Sequence, residues 1–288
     1  MAATGGRVNT QGRIVMHIAL LLVACLASDP AELVGRFTAK GIVEPSGLVA
    51  SRRHPGIFWT HNDSGNPPAL FAVRQDGTLV REYAVAAPNV DWEDVAIDDH
   101  GHIYLGDTGD NLHILPVHAI LRVDEPDPAE PDPAKPLAAT AFYFRYPEGK
   151  RFDAEALFVE GDRAFVIAKS DLGHEADLFT VPLDAATPLL KPATARRIGA
   201  LAKLTRPATG ASITPDGRYL AVIAIGEARI YRRDADGRFV HAAKLKAPRG
   251  QVEAIAWSGG DLILANEERE IYKIDEATWR AEVNAKGR

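Results

Sequence analysis

Residues 44–73 read EPSGLVASRRHPGIFWTHNDSGNPPALFAV. Three apolar segments, Ser46-Gly47-Leu48-Val49, Ile57-Phe58-Trp59-Thr60 and Leu70-Phe71-Ala72-Val73, are separated by stretches rich in Gly, Pro, Asn and Asp. Segments of this length, bounded by turn formers, read as β-strands. The same series returns four times. The first segment recurs as Glu93-Asp94-Val95-Ala96, Glu155-Ala156-Leu157-Phe158, Ala211-Ser212-Ile213-Thr214 and Glu253-Ala254-Ile255-Ala256. The second recurs as Ile103-Tyr104-Leu105-Gly106, Ala164-Phe165-Val166-Ile167, Leu220-Ala221-Val222-Ile223 and Leu262-Ile263-Leu264-Ala265. The third recurs as Ile120-Leu121-Arg122-Val123, Leu178-Phe179-Thr180-Val181, Arg229-Ile230-Tyr231-Arg232 and Ile271-Tyr272-Lys273-Ile274.

A fixed order of short strands repeated along a chain is the mark of a repeat architecture. Fourth strands are more variable, as suits an exposed outer position: residues 79–85, 141–146, 195–201 and 239–245. The fifth unit lacks one, because the chain from Trp279 onward reads as a short polar tail. Residues 33–42 (LVGRFTAKGI) have the length and pattern to supply it. A ring closed by strands from both chain ends leaves no radial gap of unpaired edges. The expected fold is therefore all-β, a single β-propeller of five four-stranded blades closed by an N-terminal strand. A six-bladed ring would need one further blade, and a β-sandwich does not account for the fivefold repeat. The Pro-rich stretch from Asp124 to Pro136 falls between two strands of the second unit and reads as a loop insertion.

Arg7 and Arg13 precede a short apolar run, residues 14–24, too short to span a bilayer as a helix. A basic flank before such a run is the pattern of a secretory signal. The run ends Leu22-Val23-Ala24-Cys25, which resembles the lipobox of bacterial lipoproteins, and Cys25 is the single cysteine of the chain. That resemblance implies cleavage before Cys25 and lipidation at it, with Leu26 in the following position directing the product to the outer membrane where the host has one. The expected organisation is a signal peptide over 1–24, a lipid-anchored linker over 25–32 and the propeller over 33–288. The protein is then exported to the cell envelope and held at the membrane by its lipid.

In a propeller the first strand of each blade lines the central channel, and its upstream end shares a face with the loop joining the second and third strands. Both places are rich in polar motifs: Asp91-Trp92-Glu93-Asp94, Asp153-Ala154-Glu155, His61-Asn62-Asp63-Ser64-Gly65-Asn66 and Asp107-Thr108-Gly109-Asp110-Asn111. Aligning the repeats puts Ser46, Glu93, Glu155 and Glu253 at equivalent channel positions. Ala211 takes that position in the fourth blade, with Thr209 and Ser212 nearby. Carboxylates converging on one axis repel, so a cation, bound protons or basic side chains must compensate. Oxygen-only ligands suit a hard ion, and Ca²⁺ tolerates irregular geometry best. No His pair or Cys cluster argues for zinc. Asp91 and Asp153 equally suit turn caps, and Trp92 suits core packing.

The strings EPSGL, WTHNDSG, DWEDVA, GDTGDN and DAEAL together resemble a family of largely uncharacterised bacterial exported propeller proteins, a resemblance that implies no agreed activity. The order Ser46, Glu93, Glu155, Glu253 also resembles the calcium site of the five-bladed calcium-activated nucleotidases (soluble apyrases). There one Ser or Glu per blade holds the ion, and here Ser212 or Thr209 would stand in for the fourth. A binding or scaffold role at the acidic mouth, towards a small molecule, glycan or protein, is the first functional expectation. A Ca²⁺-dependent hydrolase of phosphate esters or anhydrides is the alternative. In that case Asp63, Glu93 or Asp94 serves as general base. His61, Asn62, Asp107, Asp110, Asn111, Arg151 and Lys169 are the candidate substrate-binding side chains, and Arg52 and Arg53 read as surface charge. A lactonase of the regucalcin type is a further alternative, disfavoured by the blade count. A net charge of -6 without a concentrated basic face disfavours nucleic acid. The motifs of serine hydrolases and P-loop proteins are absent.

Overall fold

The computed structural model describes residues 29–130 and 135–286. The predicted signal segment and Cys25 lie outside them. The chain opens with β1 (Glu32–Arg36) and then builds blade one from β2 (Pro45–Ala50), β3 (Ile57–Asn62), β4 (Ala69–Arg74) and β5 (Leu79–Ala84). Blade two holds β6 (Trp92–Ile97), β7 (His102–Asp107), β8 (His118–Asp124) and β9 (Thr140–Arg145). Blade three holds β10 (Ala156–Glu160), β11 (Arg163–Ile167) and β12 (Ala176–Pro182), then, after the two-residue β13 (Ala193–Thr194), β14 (Arg196–Leu201). Blade four holds β15 (Ala208–Ile213), β16 (Tyr219–Ala224), β17 (Glu227–Arg233) and β18 (Phe239–Lys246). Blade five holds β19 (Val252–Ser258), β20 (Asp261–Asn266) and β21 (Glu270–Ile274), followed by a helix, α1 (Glu276–Lys286).

Each blade is an antiparallel meander, and β1 pairs with β21 as the fourth strand of blade five. The result is the expected five-bladed propeller. Its apolar core is divided into five clusters, each filling the space between neighbouring blades. Trp59 and Leu70 of blade one meet Trp92 and Leu105 of blade two, for example, and Phe142 and Phe144 of blade two meet Val166 and Phe179 of blade three. Inner strands are covered on both faces, so β2, β6 and β15 are buried almost throughout, polar side chains included.

Three local expectations are corrected. The closing strand ends at Arg36 instead of continuing to residue 42. Beyond it the chain crosses from blade five to blade one, with Phe37 and Ile42 buried in the core between them. The close crossing needs Gly35, where a Cβ would come within 2.5 Å of the Asp76 backbone. The C-terminal segment is not a polar tail. Trp279 is buried against Tyr219 and Trp257, both ring pairs at 5.1 Å, and its indole N–H donates to the Gly260 carbonyl at 2.9 Å. Finally, blade two gains β13 as a parallel fifth strand from the neighbouring blade's chain. The Pro-rich insertion follows β8 and precedes β9, and near its start Glu125 is buried and accepts the Trp59 indole N–H at 2.8 Å.

Candidate functional site at the channel mouth

Four of the five inner strands carry the same irregularity at their upstream end. The register with the second strand slips between Pro45 and Gly47, Trp92 and Asp94, Ala208 and Gly210, and Val252 and Ala254. The residue left over in each is Ser46, Glu93, Thr209 or Glu253. In blade three Ala156 pairs with Ile167, and Lys169 N–H donates to Asp153 C=O at 2.8 Å, so Glu155 takes the equivalent place. A bulge turns its extra side chain away from the alternation of the strand, and here it does so in four blades of the five. This register corrects the alignment of the fourth blade. Thr209 is the counterpart of the channel residues, and Ser212 sits three residues further along. Ser212 does not join the mouth: its Oγ accepts the Trp257 N–H at 3.2 Å, and it lines a cavity of about 320 Å³ at the opposite end of the channel.

The mouth cavity is small, about 60 Å³, and is lined by Glu44, Ser46, Asp63, Glu93, Glu155, Gln251, Glu253 and Glu267 among others. Asp63, Asp91 and Glu93 place carboxylate oxygens within 4.8 Å of one another, and so do Glu93, Asp153 and Glu155. Asp91 and Asp153 therefore belong to the cluster, beyond any role as turn caps. Gly109, from the GDTGDN string, leaves room at its edge, because a Cβ there would push aside the carboxylates of Glu93 and Asp91.

Among the described residues, one cation enters this cluster. Lys169 pairs with Glu155 and lies 3.4 Å from Asp153. Burial pushes the Glu93 carboxyl up to about 10, reinforced by Glu155, Asp63, Asp91 and Asp153. Glu253 is pushed up to about 8 by burial, against the opposing bond from Gln251. Glu155 reaches only about 7, because Lys169 offsets its desolvation. Asp63 and Asp91 are raised by burial as well. Among the described residues no hydrogen bond reaches the Glu93 carboxylate, although the residue is only 6% exposed. The two hydroxyls of the ring point elsewhere: Ser46 Oγ donates to Glu93 C=O at 2.7 Å and Thr209 Oγ1 to Val252 C=O at 2.8 Å.

Most of the remaining expected site residues brace the scaffold. Asp94 is fully buried below the mouth and is not placed to act as a base. Its Oδ2 accepts Leu157 N–H at 2.8 Å and Ala211 N–H at 2.9 Å, so one carboxylate ties blade two to blades three and four. Its Oδ1 accepts its neighbour Val95 N–H. Burial raises this carboxyl well above the ordinary aspartate range, while the three amides favour its charged form. His61 is likewise buried, edge-on to Trp92, and burial pushes it down to about 4, leaving it neutral at pH 7. Asn62 braces the loop before β2 by accepting Val43 N–H at 3.0 Å and donating to Gly41 C=O at 2.7 Å. Asp107 accepts Asp91 N–H at 2.7 Å, and Asp110 accepts Ile114 N–H and Leu115 N–H. Asn111 is exposed on the same loop, and Arg151 donates to Ile114 C=O. Arg52 and Arg53 lie in the turn after β2, at the far end of the channel.

No protein-family model and no curated protein sequence matches the chain. Among solved structures, it is similar to the β-propeller domain of Cps50 (Swd1) from Myceliophteria thermophila, at 12% identity and a TM-score of 0.46, over 85% of this chain and 100% of that one.

Proposed function

We infer that this chain is an exported, lipid-anchored binding module whose channel mouth takes up a hard divalent cation, Ca²⁺, and presents that face to its surroundings. The observation that carries the cation is the convergence of Asp63, Asp91 and Glu93 without a basic partner of their own, next to Asp153 and Glu155, which share Lys169. Carboxylates driven together out of water are costly unless a positive charge joins them. Their oxygens are the hard donors that Ca²⁺ prefers. Asp63, Asp91 and Glu93 would hold the ion, with Glu155 and Glu253 close by, and a bound ion would rigidify the ring where five inner strands meet. The small cavity supports binding over phosphoester hydrolysis. A space of about 60 Å³ takes an ion or the tip of a side chain, whereas a nucleotide-sized ligand needs a pocket of roughly 300 Å³ or more.

The test is thermal unfolding of the purified chain in chelator and then in millimolar-range Ca²⁺. An upward shift that saturates with Ca²⁺ is expected, since a ligand that binds only the native state stabilises it by mass action. Identical melting in both conditions would refute the cation site.

A further inference from the structure

Eleven large apolar side chains are strongly exposed among the described residues. Leu33, Ile198 and Val240 lie on the outermost strands β1, β14 and β18, and Leu189 and Leu190 lie in the loop before β13. The other six, Val43, Val90, Leu112, Ile114, Leu172 and Ile225, all lie on segments that open onto the mouth face, each between 45% and 77% exposed. The turns joining first to second strands at the opposite face carry none. Singly exposed apolar residues are ordinary on a protein surface, but six of the eleven gather on the loops of one face, from four blades.

The backbone that presents them is held in place. Asp110 accepts Ile114 N–H at 2.8 Å and Leu115 N–H at 2.9 Å, which fixes the loop bearing Leu112 and Ile114. Gly173 N–H donates to Thr205 C=O at 2.8 Å beside Leu172, and Ile225 N–H to Pro207 C=O at 3.2 Å. The apolar side chains stand outward from these braced turns and add nothing to the packed cores beneath. Among the described residues, eight carboxylates lie inside their ring, those of Glu44, Asp63, Asp91, Glu93, Asp153, Glu155, Glu253 and Glu267, against the one ammonium of Lys169.

We propose that this face docks a protein partner through a turn that inserts a lysine into the mouth, beside Glu93, Asp63 and Asp91, and lays apolar flanking residues on the rim of Leu112, Ile114, Leu172 and Ile225. Three features select that occupant. Glu93 is almost wholly buried, lines the cavity, and its carboxylate has no hydrogen-bond donor among the described residues. Lys169 shows that an ammonium fits among these acids, since its Nζ already lies between Glu155 and Asp153. A bilayer surface rich in anionic headgroups is repelled by the same carboxylates, whereas a partner that is basic at its tip and apolar around it matches both halves of the face. The proposal rests on the mouth being a place for positive charge. A Ca²⁺ ion and a partner's ammonium then compete for the same oxygens.

The experiment is fluorescence anisotropy of the purified chain in chelator with three labelled peptides, whose cores are Leu-Lys-Leu, Leu-Gln-Leu and Gly-Lys-Gly. The first should bind at least roughly tenfold more tightly than either of the others, and added Ca²⁺ should weaken it. A Leu112→Ser/Leu172→Ser variant, altered only at exposed positions, should lose a similar factor while keeping its thermal midpoint. Absence of binding, equal binding of all three peptides, or an unaffected double variant would overturn the proposal. So would rim-dependent co-sedimentation with phosphatidylcholine–phosphatidylglycerol vesicles without peptide binding. A Ca²⁺-dependent melting shift without peptide binding would refute the docking and leave the cation site standing; peptide binding without a Ca²⁺ shift would do the reverse.

Discussion

Replacing Glu93 by Gln keeps the shape of the side chain and removes its charge. In the folded protein without metal, the carboxyl titrates near 10, against an ordinary value of 4.5. Between those limits the native state holds a proton that the unfolded state has released, so stability falls as pH rises. The stabilisation is complete below pH 4.5 and lost progressively up to the raised value. Each pH unit in that window costs about 1.4 kcal/mol per group. From pH 5 to pH 8 the limit is therefore about 4 kcal/mol, and water entering the mouth would reduce it to about 2 kcal/mol. Glu155, Glu253 and Asp107 are also raised, to about 7, 8 and 6. They are present in both proteins, so the difference between the two isolates Glu93. In urea denaturation with chelator, the wild type should lose about 1 M more in midpoint than Glu93→Gln between pH 5 and pH 8, for a slope of about 3 kcal/mol/M. Ca²⁺ should restore the wild type at pH 8 and act weakly on the variant. Parallel pH dependences in chelator would show that Glu93 is not held in a desolvated, repulsive position, and the case for a cation there would lose its physical basis.

Asp94→Asn should destabilise the fold by about 3 kcal/mol, because one oxygen is left to serve amides of three strands; a loss below about 0.5 kcal/mol in equilibrium unfolding would contradict the bridging role. Lys169→Met should be less stable than wild type in chelator and should bind Ca²⁺ at least roughly tenfold more tightly by titration calorimetry, since a competing positive charge is gone. Unchanged affinity would place Lys169 outside the ion's field. Cys25→Ser should release the protein from the membrane fraction or block its processing, and undiminished retention would refute the lipid anchor.

Much of the fold was legible because its causes are local. Ile57-Phe58-Trp59-Thr60 and its four counterparts are apolar runs between Gly, Pro, Asn and Asp, and such runs become strands wherever both faces are covered. The length of the closing strand was not legible. The apolar pattern continues to Ile42, but Phe37 and Ile42 are spent on the core between blades five and one. Nor was α1, whose eleven residues offer one large anchor, Trp279. His61 and Asp94 read as polar site residues, yet the space between inner strands absorbed both.

Sequence alone determined the repeat and the acidic character of one face, and favoured five blades over six, since alternation and turn chemistry act over a few residues. Tertiary structure decided which oxygens meet there. The fourth-blade alignment was off by two residues, Ala211 for Thr209, and a slip of two leaves every side chain on the same face of a strand. Apolar pattern cannot detect such a slip; only the pairing of β15 with β16, and the bulge within it, sets Thr209 level with Ser46, Glu93 and Glu253.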